Sequence, residues 1–393
     1  MEKRKNITDI LGRSLLLVAP TTPLKKGEFM SDIKLLPNID TICILLDIEN
    51  YEKNSKDIIN YLLSEKEKIK EIQLDTPTYK HIINLNDMNF ELLSTGKKGY
   101  AILLKNEDYE IDIAQYKSKL ENFAPIQIRI SSSSLWSIGI IQSWSIIYNW
   151  IVETFGNIIS EKVCRLDLCC HTSEIDFIKD YEISYKGDFK KRQTFYNGSK
   201  INCITFGSRK SKNIYCRIYN KTLEIEETHK KYWFYEIWNN YNMDIKNIWN
   251  LEFEIKSEFL RRFNINTIND VLLHINDIWQ YCTNKWLIKI DRTNVRVERC
   301  NISSQWLQIQ NAYNQFNSIG LVEKSKQLEI DAKKLIPNIA GFIISYSARK
   351  KELNIDKAFI TLQRDTQRYL RNKNTDFSKE VKTKLAVFNE SEV

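Results

Sequence analysis

Apolar and polar side chains alternate with the period of two that a strand imposes in three stretches of the chain, 164–170, 213–221 and 249–256. In the first, Arg165, Asp167 and Cys169 share one face and Leu166, Leu168 and Cys170 the other. In the second, Tyr215, Arg217, Tyr219 and Lys221 oppose Cys216 and Ile218; in the third, Asn250, Glu252 and Glu254 oppose Leu251, Phe253 and Ile255. Short runs of strand length also mark 42–47, 100–104, 126–130, 192–197 and 202–207, whereas helical spacing runs through 54–70, 137–159 and 221–240. From 268 onward the periodicity is helical, over 268–288, 304–315, 323–338 and 353–372. This order predicts an α+β chain, a mainly antiparallel sheet with flanking helices followed by a mainly α C-terminal region. No Pro/Gly/Ser linker interrupts the pattern, and we divide it into an N-terminal α/β portion (1–123), a core carrying the basic strands (124–290) and a helical region (291–393).

Composition changes this picture little. The 393 residues are 42% hydrophobic and 27% charged, an ordinary globular balance. The net charge of +8 invites a polyanionic partner, but the chain is rich in Lys, Asn and Ile, a bias that an AT-rich genome imposes on any protein. The placement of the charge is more telling. Residues 184–222 hold ten Lys or Arg against the single acid Asp188, a net of +9 that exceeds that of the whole chain. Tyr185, Phe189, Phe195, Tyr196, Phe206, Tyr215 and Tyr219 are interleaved with them, the mixture expected of a surface that grips phosphates and stacks bases. Lys190, Lys191, Arg192, Lys200, Arg209, Lys210 and Lys212 are the candidate DNA-binding residues; a solvated sheet edge is the competing reading. A second basic stretch, 349–384, has eleven Lys or Arg against five acids and places Arg364, Arg368 and Arg371 on one helical face, which suits a duplex contact or a solvated face equally.

The eight cysteines form no C-x-x-C pair, which favours a reducing compartment. The N-terminal apolar stretch, 15–20, is shorter than the core of a signal peptide, and the most apolar window, 135–159, is too polar to span a membrane. A cytoplasmic protein without a membrane partner is expected.

If the three polar faces coincide, a tyrosine flanked by two cations meets three acids. A phenol titrating near pH 10 needs a nearby cation to attack phosphorus at neutral pH, and Arg217 and Lys221 are candidates to assist Tyr219. A Mg²⁺ or Mn²⁺ ion held by Asp167, Glu252 and Glu254 would polarise the scissile phosphate. Against this, the chain has 19 tyrosines, and the acids could equally be structural partners of Arg165 or Arg217. Three readings stay open: a tyrosine nickase, a metal-dependent nuclease using water, and a DNA-binding protein without catalysis.

The succession R-L-D-L (165–168), F-G-S-R-K-S (206–211), R-I-Y-N-K (217–221) and L-E-F-E (251–254) resembles the replication initiation factor (Rep_trans) family over roughly residues 125–290. That family contains plasmid rolling-circle initiators and the relaxases of some integrative conjugative elements. The resemblance implies a rolling-circle initiator-like nicking domain, Tyr219 as the nucleophile leaving a 5′-phosphotyrosine and a free 3′-hydroxyl, and Asp167 and Glu252 as metal-site acids. The implied role is initiation of rolling-circle replication of a plasmid or mobile element, with conjugative transfer as the alternative. The chain departs from the family at two positions: His171 stands where R-x-D-x-x-x-D ends in an acid, and Asn250 where Arg often precedes the glutamate. The four histidines form neither a His-hydrophobe-His motif nor an H-x-x-R, which disfavours the other large class of tyrosine nickases and the tyrosine recombinases. No Walker A motif is present, so unwinding would fall to a separate helicase. DNA is the expected partner, with that helicase and a second copy of this chain as further candidates.

Overall fold

The computed structural model describes residues 33–117, 123–316, 318–322 and 336–382. The N-terminal stretch 1–22, residues 323–335 of the helix expected at 323–338, and Lys384 of the second basic stretch lie outside them. The chain divides into two compact units, Met1–Val322 and Glu323–Val393.

Unit one is built on β1 (Leu36–Ile48), β2 (His81–Leu85), β3 (Met88–Leu92), β4 (Ile102–Lys105), β5 (Tyr109–Ile113), β6 (Ile126–Ile130), β7 (Ile158–Thr172), β8 (Tyr185–Lys186), β9 (Arg192–Asn197), β10 (Lys200–Gly207), β11 (Ile214–Asn220), β12 (Trp249–Lys256) and β13 (Ile288–Lys289). Eleven of these form one sheet in the order β2-β3-β4-β5-β6-β1-β7-β12-β11-β10-β9, and β13 pairs with β8 apart from it. Every neighbouring pair is antiparallel.

Alternation sends Ile42, Ile44, Leu46, Leu166, Leu168, Leu251, Phe253, Ile255, Cys216 and Ile218 into one continuous core. Helices cover that side. Phe253 meets Trp279 of helix Ile268–Tyr281 edge-on at 5.5 Å, Phe90 lies 5.0 Å from Trp150 of helix Gly139–Phe155, and the Tyr109 hydroxyl donates to the Ser143 carbonyl at 2.9 Å. The opposite side is polar at its centre, and the candidate chemistry lies there.

Helix Ile268–Tyr281 starts in a capping box, with the Thr267 hydroxyl accepting from the Asp270 N–H at 3.1 Å and the Asp270 carboxylate accepting from the Thr267 N–H at 2.8 Å. Thr267→Ala is expected to cost about 1 kcal/mol, measured as a shift in the urea midpoint at unchanged slope.

Several elements differ from the expected ones, each for a local reason. The helix expected over 137–159 is two, Ser132–Ser137 and Gly139–Phe155, because Gly139 takes a φ of 76°. The stretch 221–240 divides into Lys221–Thr228 and Phe234–Asn240 where His229 and Lys231 adopt left-handed φ values of 54° and 62°. The expected 268–288 helix stops at Tyr281, passes through a π turn at Cys282–Trp286 and continues into β13. Strands β2 and β3 have no long apolar run; their hairpin is marked instead by Asn86-Asp87, both with positive φ, as a two-residue turn requires.

In unit two, helices Ile336–Lys350 and Ile355–Asn372 are joined by an ion pair between Lys350 and Asp365 at 2.8 Å and by the Tyr346 hydroxyl donating to Asp365 at 2.7 Å. No described helix is long and apolar enough to cross a membrane.

Candidate functional site

Strands β7, β12 and β11 are adjacent, so their polar faces do coincide. The register places Glu254 opposite Asp167, Glu252 opposite both Cys169 and Arg217, and Asn250 opposite Tyr219. The Tyr219 hydroxyl donates to Glu252 Oε2 at 3.0 Å and accepts from Asn250 Nδ2 at 3.0 Å and Lys221 Nζ at 3.2 Å. Arg217 pairs with Glu252 Oε1 at 2.5 Å, and its guanidinium lies 5.2 Å from the Tyr219 ring centroid. Lys221, the first residue of its helix, is buried against Phe234 and pairs with Glu224 at 2.5 Å.

Tyr219 is only 7% exposed. Burial, with Glu252 and Glu224 adding to it and Arg217 opposing, pushes its hydroxyl well above the ordinary tyrosine range. At rest it is a neutral donor to Glu252. Burial works against the charge of Lys221, but Asp40 and Glu224 outweigh it and hold the ammonium above its usual range.

The three acids each have a cation already. Arg165 grips Asp167 with Nε at 2.8 Å and Nη2 at 2.6 Å, and also lies 3.2 Å from Glu254, which takes Lys256 at 2.9 Å. Glu252 is held by Arg217. Carboxylates suit a hard divalent ion, but among the described residues no group of three or more His, Cys, Asp or Glu is arranged to hold a metal. A metal at these acids would have to displace Arg165, Arg217 or Lys256, so as arranged they do not fit one.

Burial raises the Asp167 carboxyl to about 7 against the pull of Arg165, with Glu252 and Glu254 adding to the rise. The unfolded chain releases this proton near pH 4 and the native state only near 7, so in that window the native state binds more protons and stability falls as pH rises. Scanning calorimetry should show a Tm falling from about pH 4 to about pH 8, with a smaller fall in Asp167→Asn, which cannot ionise.

His171 is enclosed by an aromatic cluster: it stacks on Trp136 at 4.8 Å, and its Nδ1 accepts from Trp238 Nε1 at 3.1 Å. Burial holds its pKa well below the usual histidine range. Its place in the R-x-D-x-x-x-H strand is thus filled by packing. Asn250, the other departure, sits in the tyrosine cluster as a donor to Tyr219. Its hydrogen bond to Tyr219, and the part of buried Asp40 in holding Lys221 charged, depend on strand pairing; the signal in the sequence was the place of Asn250 on the polar face with Glu252 and Glu254.

The basic strands form a second feature. Lys190, Lys191, Arg192, Arg209 and Lys210, with Gln193, Gly207, Ser208 and Tyr215, line a groove of about 720 Å³. All five cations are exposed. Lys200, beside the β9–β10 turn, and Lys212 are exposed but do not line it. Arg192 is anchored, donating to the Tyr181 and Glu182 carbonyls at 2.9 and 2.7 Å. Phe195 and Tyr196 on β9 are 49% and 57% exposed. Tyr215 joins the two features, lining the groove on the same β11 face as Tyr219.

No protein-family model matches the chain. No curated protein matches it. Among solved structures, a rolling circle replication initiator protein from Geobacillus stearothermophilus is similar at a TM-score of 0.42 and 13% identity, over 74% of this chain and all of that one.

Proposed function

We propose that the protein binds DNA through its basic groove and nicks one strand with Tyr219, initiating rolling-circle replication of a plasmid or mobile element. The observation that carries this reading is the Tyr219 hydroxyl held between a carboxylate acceptor, Glu252, and an ammonium, Lys221, on a strand that runs into a groove lined by five cations. Glu252 takes the phenolic proton as Tyr219 attacks phosphorus, Lys221 offsets the charge of the oxygen, and Arg217 faces the phosphate. The phosphorus–O3′ bond breaks, the O3′ takes a proton from solvent, and the 5′-phosphate remains on Tyr219. The family resemblance adds a Mg²⁺ or Mn²⁺ ion, but the acids it would use are occupied by Arg165, Arg217 and Lys256.

The burial of Tyr219 favours a second reading, DNA binding without cleavage, since the enclosed cluster must open before a phosphodiester reaches the hydroxyl. Incubating the full chain with supercoiled plasmid carrying its neighbouring DNA, with and without Mn²⁺, separates the two on a denaturing gel. Relaxed circles with a covalent adduct support nicking. Bound but intact plasmid supports the second reading.

A further inference from the structure

The groove is walled by two basic segments, Lys190 to Gln193, which the chain enters from Gly187, and Gly207 to Lys210. Both glycines have positive φ, 144° and 83°, a conformation that side chains other than glycine rarely adopt. The same residue, Trp286, lies against both. A Cβ on Gly187 would collide with the Trp286 carbonyl oxygen; one on Gly207 would lie 3.0 Å from the Ile214 carbonyl oxygen and 3.1 and 3.2 Å from Cζ2 and Cη2 of the Trp286 ring. The Trp286 carbonyl also accepts the Asp188 N–H at 3.0 Å, and the ring stands edge-on to Phe253 at 6.1 Å. The walls themselves are tied by the Gly207 N–H donating to the Lys191 carbonyl at 2.8 Å, and β8 and β13, flanking Gly187 and Trp286, pair with each other.

From this geometry we infer that Trp286 is a positioning residue, a buried spacer that fixes the separation of the two walls so that their cations meet consecutive phosphates of one nucleic-acid backbone. The π turn Cys282–Trp286 delivers it: carbonyl to the first wall, ring to the second. Trp286 carries no charge and is buried, so its contribution to binding is made through the placement of Lys190, Lys191, Arg209 and Lys210. The inference rests on the DNA-binding reading above.

The test measures binding of a fluorescent DNA oligonucleotide by anisotropy over a salt series, for the full chain and for Trp286→Phe, Gly207→Ala and the double variant. Removing one cation–phosphate pairing flattens the slope of log K against log salt by about 0.9. Trp286→Phe is expected to weaken binding about tenfold and flatten the slope by about 1, although no charge has been removed. Gly207→Ala presses on the same ring and should act in the same direction. The smaller ring introduced by Trp286→Phe relieves the new Cβ of its ring contact, though not of its contact with the Ile214 carbonyl oxygen, so the double variant should lose less than the sum of the two. Circular dichroism and Tm identify a variant that has not folded, and Gly207→Ala then carries the test alone. Folded variants with wild-type affinity and slope overturn the spacer. A wild-type chain that binds no DNA overturns the DNA reading, and the spacer with it.

Discussion

Tyr219→Phe is expected to abolish the covalent DNA adduct, lowering the nicking rate at least about 10³-fold, because it deletes the attacking atom itself. The phenyl ring stays in place, and the groove cations do not touch it, so DNA affinity should remain within about threefold. Stability should fall moderately. The hydroxyl has three partners, Glu252, Asn250 and Lys221; each keeps another, so losing its bonds costs about 1 kcal/mol. Tyr215→Phe is the control: the same substitution two residues from Arg217 on the same face, near the groove, should leave the adduct intact. Glu252→Gln keeps the shape but removes the proton acceptor, and should slow nicking while retaining some adduct. An adduct that survives Tyr219→Phe would exclude Tyr219 as nucleophile and leave the polar cluster as a structural network beneath a DNA-binding surface.

The parts of this cluster differed in how legible they were. Which residues share a face could be read directly, because side chains alternate across a strand whatever the fold. That put Asp167 with Arg165, Tyr219 with Arg217 and Lys221, and Glu252 with Asn250. Which strands are neighbours could not be read, because pairing is non-local and a shift of one residue would send every side chain to the other face. Only the register between β11 and β12 brings Glu252 to Arg217 and Tyr219, and only that between β12 and β7 brings Glu254 to Asp167. The sequence left two roles open for the acids, a metal site or pairing with Arg165 and Arg217. The Arg217–Glu252 and Arg165–Glu254 pairs depend on those registers, whereas Arg165–Asp167 and Lys256–Glu254 lie two residues apart on one strand. The α+β class with a large antiparallel sheet followed by helices was legible, since strand-length and helical periodicities separate cleanly. The helix breaks at Gly139 and at His229 and Lys231 were not, because a periodic apolar pattern continues across a single left-handed residue without interruption.

Neutralising the groove should have the largest effect on affinity. Lys190, Lys191, Arg209 and Lys210 are exposed, and among the described residues no acid pairs with them, so replacing all four with Gln removes charge without breaking an ion pair. Arg192 is left alone because its guanidinium holds the Tyr181 and Glu182 carbonyls, and its loss would confound charge with structure. If each cation meets one phosphate, the slope of log K against log salt falls by about 3–4 and affinity near physiological salt by at least about 10²-fold. Tm should hold or rise slightly, since four like charges no longer repel one another. A smaller slope change with an equal affinity loss would mean that the groove reads bases through Phe195, Tyr196 or Tyr215 as well as phosphates. Unchanged binding would move the DNA elsewhere. Arg364, Arg368 and Arg371, exposed on helix Ile355–Asn372, are then the cations to neutralise next, and a salt slope that falls only in that triple variant would assign the contact to the second unit.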